Sequence, residues 1–592
     1  AAEAPAPAAA AAPGRVGNRL IEEIIVTAQK REEQLQDVPI SIQAFSGDAL
    51  AARGIENTDQ LGQSIPSLQF TNVAGFTLIY MRGIGTDQFI PSADPSIATY
   101  VDGIYIPAGH TLATSLGNVQ RVEVLKGPQG TLFGRNSTGG AISVVTTEPG
   151  DVFMASAEGE LGNFKSRQLK ASVSGPLTEW LSIGLDGLVS NGENYYRNIY
   201  YEVPRDKFTA GRVKLNAHPN ENLSLSLTAN YTRQSGLGSV LGQQTDPSAL
   251  GRLLTIEAAE DNFAAESDFE PRVEGSQEIY YGTLSWKTPA FDVKLLGSDV
   301  YILTDFASID FDGSSMPIAA FDASNEYTDM KTAELQILSN DSTWGSEKFS
   351  WVTGLYYLKA TAGFDPAHLH AAPQAFTSLQ QEFGLPLPDY MNELIADLSP
   401  LDFSPLEAEG LNIEFGGLLA TRSYSAFFQG TYFFTDWVDL TLGGRVQKEK
   451  RYLTKSQTGA LDPVSGTYIP VFTFDLPGET AKNFSPKAVL SFHPRDNALL
   501  YLSYAAGFKS GTYNVVNIYQ PAEYIKPEKV TTYEAGAKVD FLDGRLRVNG
   551  ALFWNEIDNL QSGFVSLLAG GVVRFQTAGA ARTRGAELEG TI

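Results

Sequence analysis

The stretch with the most chemical promise is residues 119–148, VQRVEVLKGPQGTLFGRNSTGGAISVVTTE, which sets Gly127, Gly130, Gly134, Gly139 and Gly140 within fourteen residues. Glycine-rich turns can cradle phosphate, but that chemistry needs Gly-Lys followed by Ser or Thr at the opening of a helix. Here the glycines run into Ala141-Ile142-Ser143-Val144-Val145, a β-rich segment, so nucleotide binding is set aside. The five His are scattered except for His368-Leu369-His370, and two imidazoles at that spacing in a loop read as a bland feature rather than a metal site. Asp310-Phe311-Asp312-Gly313 opens like a calcium loop but lacks the third acidic position and the distant Glu, so it reads as a solvated turn. With no HExxH, no GxSxG and no Cys, zinc-peptidase, serine-hydrolase and thiol chemistry have no residues to stand on. The expectation is a protein that is not an enzyme and holds no metal or cofactor of its own.

A chain of 592 residues is too long for one ordinary core, and it contains 56 Gly, 25 Tyr and 33 Phe without a run of eighteen apolar residues. If it crosses a membrane, it must do so as a barrel. The net charge of −25 argues against nucleic acid, whose phosphates call for clustered Lys and Arg. It also suits a surface among divalent cations and lipopolysaccharide. The opening AAEAPAPAAAAAP lacks a basic or apolar targeting segment, so residues 1–20 read as the disordered leader of a processed chain.

The glycine-rich turns need strands to hold them, and the alternation of Val122 and Val124 with Arg121 and Glu123 supplies one before them. Residues 38–150 as a whole read as a small α/β domain. Ile40-Ser41-Ile42 is a short strand; Ser46 caps a helix through Leu50 and Ala52 that stops at Gly54; Thr58 caps a second through Leu61 and Ile65 that ends before Pro66. Residues 78–83 read as a strand and Asp102-Gly103 as a type I′ hairpin turn, since both positions accept positive φ. Ahead of this domain, residues 21–37 contain Glu23, Ile24, Ile25, Val26, Thr27 and Ala28. So short a β-rich run cannot fold alone and suits addition to the edge of another protein's sheet, unless it is the domain's own first strand.

From 151 to 592 the texture changes to long strands of period two. Leu223, Leu225, Leu227, Ala229 and Tyr231 alternate with polar residues, as do Leu440, Leu442, Gly444 and Val446 with Asp439, Thr441, Gly443 and Arg445. In these strands, and in 545–554, the charged member falls on one face. That phase fits a lumen, because Arg facing lipid at mid-bilayer would cost ~2–4 kcal/mol. Short turns at 175–179, 218–222, 288–290, 434–436, 493–497 and 542–544 alternate with long connections at 236–277, 307–330, 365–419, 456–482 and 510–527. Short turns mark the periplasmic side and long loops the outside.

Residues 121–142, RVEVLKGPQGTLFGRNSTGGAI, together with Arg82-Gly83 and Asp102-Gly103 in that order, resemble the plug domain of TonB-dependent outer-membrane receptors. The segment Glu23 to Ala28 is similar to their TonB box. The resemblance implies a membrane all-β fold in the bacterial outer membrane: a large antiparallel transmembrane β-barrel, plugged by the N-terminal α/β domain. Family barrels have 22 strands, against a tally of about sixteen here, and the ending Glu587 to Ile592 reads as mid-strand, so missing C-terminal strands are expected. The plug-motif residues it assigns are Arg82, Gly83, Asp102, Gly103, Arg121, Glu123, Gly127, Gly130, Gly134, Arg135, Gly139 and Gly140.

The resemblance further implies TonB, of the inner-membrane energy-coupling complex, as the partner that captures the box, with outer-membrane lipid and lipopolysaccharide around the barrel. The cargo it implies is a small molecule, most commonly a ferric siderophore carrying Fe3+. Haem, cobalamin, a glycan, an aromatic compound or a passive gated porin are the alternatives. Ligand-binding candidates are Ala108, Gly109 and His110 at the plug apex, and Phe383 and Tyr390 in the stretch 361–421. That stretch holds nine acidic residues and no Lys or Arg, which favours a neutral-to-cationic, partly apolar ligand over a triply anionic one.

Overall fold

The computed structural model describes residues 21–592 apart from 22, 74–75, 87–91, 108–117, 199–200, 238–263, 266, 311–318, 372–410, 462–466, 474–475, 514, 516–522 and 567–571. The plug is built on a five-stranded sheet in the spatial order 42–46, 119–126, 140–146, 97–101, 104–106. Strand 140–146 runs antiparallel to 119–126 and parallel to 97–101, so the glycine-rich turns are the connection within one hairpin of a mixed sheet. Val122, Val124 and Ile142 from that hairpin pack with Leu61, Ile65 and Met81 in the plug core.

The helix Gly47–Ala52 starts where the sequence indicates, with Ser46 accepting a hydrogen bond from the Ala49 amide. Three local expectations need correction. The first strand begins at Ile42 rather than Ile40. The second helix is a 3-10 turn, Asp59–Gln63, with no side-chain cap bond from Thr58, because Pro66 disfavours helix in the residue before it and leaves too few residues for a full α-helix. Arg82 and Gly83, at φ 53° and 76°, form the turn between strands Phe76–Met81 and Ile84–Gly85 instead of ending a strand. Asp102 and Gly103, at φ 48° and 82°, make the expected hairpin turn.

Around the plug curls an antiparallel sheet of 17 strands among the described residues. The long ones are β1 (Met154–Leu161), β2 (Arg167–Thr178), β3 (Leu181–Gly192), β4 (Asp206–Asn220), β5 (Leu223–Leu237), β6 (Arg272–Lys287), β7 (Asp292–Asp310) and β8 (Ala319–Leu338). They continue as β9 (Phe349–Ala371), β10 (Leu411–Thr435), β11 (Val438–Leu461), β12 (Glu479–Arg495), β13 (Ala498–Lys509), β14 (Glu528–Phe541), β15 (Leu546–Asp558) and β16 (Ala580–Thr591). Each pairs with its neighbours in sequence, and the short strand 468–473 adds to the upper end of β11. Among the described residues, β1 and β16 do not pair with each other.

Side-chain direction follows the period-two pattern. Leu227, Tyr231, Leu442 and Val446 are exposed on the outer wall, while Thr228, Thr441 and Arg445 are buried toward the plug. Trp180, Trp286, Phe434 and Trp437 stand exposed near the short-turn end, and Tyr301, Tyr357, Tyr424 and Tyr533 form a second aromatic level above them. The expectation that charge keeps to the lumen fails higher up, where Lys448 and Lys450 point outward. The reason is length: β8 to β11 run 20, 23, 25 and 24 residues, about twice the 9–11 that cross a bilayer. Their upper halves stand in water. Within the expected loops, 307–310, 319–330, 365–371, 411–419, 456–461, 468–473 and 479–482 are therefore strand, and Asp310, read as part of a solvated turn, is buried at the end of β7 beside the Ser267 hydroxyl.

Candidate functional site

The segment that resembles a TonB box is not a free strand. Ile25 and Val26 pair antiparallel with Gln34 and Glu33, closing a small clip at the short-turn end of the barrel. Val26 and Ala28 are fully buried, whereas Ile25 is exposed, and Glu23 and Ile24 line a polar cavity of about 970 Å³ with His493, Lys538 and Arg547. One plug carboxylate holds the box. Glu123 Oε1 accepts from the Thr27 amide at 2.9 Å and hydroxyl at 3.0 Å, and from Arg121 Nε at 2.8 Å.

The barrel wall holds the rest of the clip. Arg31 donates to the Ser339 carbonyl at 2.7 Å and hydroxyl at 2.8 Å and to the Trp351 carbonyl, Gln429 donates to Gln29 at 2.7 Å, and Lys30 lies 3.4 Å from Glu334. Lys538 donates to the Leu35 carbonyl at 2.7 Å. Burial raises the pKa of Glu33 within the clip, against the opposing charge of Arg31.

The plug-motif residues are where the plug meets the wall. Arg82 Nε and Nη2 donate to Glu587 at 3.0 and 2.8 Å, and Nη1 donates to Glu534 at 2.6 Å, so one turn ties β14 to β16. Lys126 stands 3.5 Å from Glu587, Tyr501 donates to Glu534 at 2.8 Å, and the Phe553 ring lies 4.3 Å from the guanidinium. Arg135 joins Asp94 at 3.0 Å and Glu449 at 2.8 Å, while Arg451 contacts both carboxylates, giving a ring of alternating charge between plug and β11. Burial alone would raise the Asp94 pKa, but Arg135 and Arg451 hold it low.

Asp102 accepts from the Thr146 amide and hydroxyl at 2.8 and 2.6 Å, from Tyr281 at 2.7 Å and from Lys214 at 3.1 Å. These partners lower its pKa despite burial. Gly103 sits against Leu296 and Gly83 against Thr583, both on the wall; Gly127 lies beside Arg82, Gly130 abuts the backbone of Ala506 and Gly507, and Gly134 faces Arg445. Gly139 and Gly140 are enclosed within the plug by Ile84, Ile97, Met81 and Leu125. The glycine run thus serves close packing.

Other sequence candidates fare differently. Arg445, on the inward phase of β11, is buried between the Tyr356 and Phe427 rings at 5.2 and 5.3 Å, and Arg547 of β15 is taken bidentately by Asp540 at 2.9 Å. Ala108, Gly109, His110, Phe383 and Tyr390 lie outside the described residues, as does most of the acidic stretch. Two of that stretch's nine carboxylates have a basic neighbour among the described residues: Asp365 contacts Lys455, and Glu414 is 3.5 Å from His368. His368 and His370 are on β9, not in a loop, and both clasp Asp322 of β8, His368 Nδ1 at 3.0 Å. Asp94, Glu449, Arg451, Glu534 and Glu587 escaped sequence reasoning. The inward phase shared with Arg445 is the signal that could have found Glu449 and Arg451.

Residues 158–592 match the family described as TonB dependent receptor-like, beta-barrel, and residues 34–141 match the TonB-dependent receptor plug domain. The chain is 32% identical to the pesticin receptor of Yersinia pestis over 164 residues, 27% of this chain and 24% of that protein. It is 24% identical to the catecholate siderophore receptor Fiu of Escherichia coli O157:H7 over 527 residues, 81% of this chain and 63% of the other. The matched parts thus span about a quarter of the first relative and less than two thirds of the second. The crystal structure of the ferric yersiniabactin uptake receptor FyuA from Yersinia pestis superposes with a TM-score of 0.72 at 18% identity, covering 93% of this chain and 76% of that one. With the barrel family spanning 158–592 and a family plug seated inside the sheet, the chain belongs to the TonB-dependent receptors of the outer membrane.

Proposed function

We propose that this protein imports a ferric siderophore across the outer membrane, driven by TonB capturing Glu23 to Ala28 as an added strand. The observation that carries the reading is the polar tether between box and plug: Thr27 is bonded twice to Glu123, which lies in strand 119–126, immediately ahead of the glycine-rich turns. Force applied to the box enters the plug sheet at that strand. The ladder that must open first has two residue pairs, so releasing the box costs far less than disrupting the five-stranded sheet. Energy then comes from the inner-membrane proton gradient through the partner, and no covalent step is asked of this chain.

The iron assignment is supported by relatives whose names specify catecholate siderophores and ferric yersiniabactin. The plug apex around Ala108, Gly109 and His110, with Phe383 and Tyr390, is the proposed ligand face. Cells lacking other receptors and expressing this one should bind and accumulate at least one iron-loaded catecholate, hydroxamate or phenolate chelator labelled with radioactive iron. Accumulation of haem, cobalamin or a glycan with no ferric siderophore bound would overturn the assignment.

A further inference from the structure

One connection at the short-turn end of the barrel differs from the rest. Among the described residues, the strand pairs there are joined through 179–180, 221–222, 288–291, 436–437, 496–497 and 542–545, which are two to four residues each. β8 and β9 are joined by ten, 339–348, with the sequence SNDSTWGSEK. Hydrogen bonds hold the extra length in place. The Asn340 side-chain amide donates to the Thr288 carbonyl and the Asp292 carboxylate at 2.9 Å each, the Thr343 hydroxyl donates to the Ala290 carbonyl at 2.5 Å, and the Ser346 hydroxyl donates to the Asp341 carbonyl at 2.8 Å. Gly345, at φ 76°, turns the chain back, and its carbonyl accepts from the Phe349 amide at 2.9 Å.

This rigid turn carries Trp344 at its tip, 99% exposed. The other five tryptophans are covered by the wall to a half or more: Trp180, Trp286 and Trp437 lie at strand ends, and Trp351 and Trp554 lie within strands. Trp286 and Trp437 mark the aromatic level at which a barrel meets lipid headgroups. Trp344 lies six positions past Leu338, the last residue of β8, and so beyond that level. Its neighbours in the turn, Asp341, Glu347 and Lys348, are exposed and charged.

The base of the same turn is where the barrel fastens the clip. Arg31 donates to the Ser339 carbonyl at 2.7 Å and hydroxyl at 2.8 Å, and to the carbonyl of Trp351, which closes the turn from the other side. Arg31 is three residues past Ala28, a span of at most about 11 Å of chain. A partner face of standard size covers about 800 Å², roughly 30 Å across, so a domain seated on the box reaches the turn. The charge around it is uneven. Glu23 and Glu32 beside the clip, and Asp341 and Glu347 in the turn, are exposed carboxylates, while Lys348 is the one cation of the turn.

We propose that the turn 339–348 is a second docking surface for the folded domain of the partner that takes the box strand, with Trp344 entering an apolar pocket rimmed by basic residues on that domain. A Trp brings a large apolar area and a donor to an interface, and a turn already held by hydrogen bonds loses little freedom on binding. Because the turn belongs to the barrel, it holds the domain while the clip is still closed, and capture of the box becomes a step within one complex. The proposal rests on the reading that TonB captures Glu23 to Ala28.

The test measures, by calorimetry, binding of the purified periplasmic domain of TonB to the full receptor in lipid nanodiscs. Trp344→Ala should weaken binding at least about tenfold, as loss of an interfacial hot-spot Trp does, while Trp437→Ala at the β10–β11 turn should bind as the wild type does. Since Trp344 is not packed against the protein, Trp344→Ala should keep the wild-type heat-modifiable gel migration. Trp344→Lys, which sets a cation against a basic rim, should weaken binding at least as much. The emission of Trp344, taken as the difference between wild type and Trp344→Phe, should escape quenching by brominated lipid and shift to the blue when the domain is added. Wild-type affinity in Trp344→Ala would overturn the proposal, as would equal loss with Trp437→Ala or quenching by brominated lipid, the mark of a membrane anchor. Ile25→Pro separates the two claims: binding at wild-type affinity there would overturn the capture of the box and this proposal with it, whereas loss with Ile25→Pro and none with Trp344→Ala would overturn the second surface only.

Discussion

At Gly140 a β-carbon would stand 2.3 Å from the Leu125 carbonyl oxygen and 2.6 Å from Met81 Sδ, with φ at 155°, so no side chain fits without moving the plug sheet. Gly140→Val should therefore displace the plug and make cells sensitive to large antibiotics the outer membrane normally excludes; unchanged sensitivity with normal protein levels would contradict this. Glu123 offers a gentler change. Glu123→Ala removes both bonds to Thr27, each worth about 1.5–3 kcal/mol as a hydrogen bond to a charged group, and should raise the reactivity of a cysteine placed at the neighbouring buried Val26 toward a thiol reagent. The background is clean because the chain contains no Cys. Sequence motifs named Arg82, Asp102, Glu123 and Arg135, since short-range spacing marks them. Their partners Glu534, Glu587, Asp94 and Glu449 are hundreds of residues away or in unremarkable contexts, and only the three-dimensional register reveals them.

The elements were legible where one face is apolar and the other polar. Inside the bilayer the alternation of β5, β11 and β15 gave strand and phase correctly; beyond it both faces are wet, alternation fades, and the upper parts of β7 to β11 looked like loops. One of those upper parts carries a pH dependence. Hydrogen bonding to Asp322 raises the pKa of His368 and His370 above the ordinary 6.5, with Glu414 adding to His368 and Asn412 to His370, against their burial. Burial would raise the Asp322 pKa, yet the two imidazoles hold it down to about 2. A His whose pKa is raised on folding stabilises fully below its unfolded value and loses that contribution as pH climbs through the folded one. The clasp joining β8, β9 and β10, against which the Phe269 ring also lies, should loosen as pH rises above the ordinary histidine range through the raised values. Amide exchange in 320–323 and 367–370, corrected for intrinsic rate, should accelerate over that range in the wild type and not in His368→Gln with His370→Gln.

Across the whole molecule, plug and barrel are joined by buried charge as well as by packing. Arg82→Ala would leave the buried Glu534 without its ion pair and Glu587 with Lys126 alone, and breaking a buried pair in this way typically costs about 3–5 kcal/mol. That variant should lower the temperature at which the plug becomes protease-sensitive while the barrel still resists heat in gel migration. The central claim concerns the link from box to cargo, and one comparison tests it most directly: surface binding and accumulation of a labelled ferric siderophore, measured on the same cells carrying wild-type protein, Ile25→Pro or Ile25→Val. Proline at 25 removes a ladder donor needed for strand addition without touching the outer surface. All three should bind ligand alike, Ile25→Val should accumulate it, and Ile25→Pro should accumulate no more than a strain lacking TonB. Accumulation by Ile25→Pro at the wild-type rate would contradict the claim.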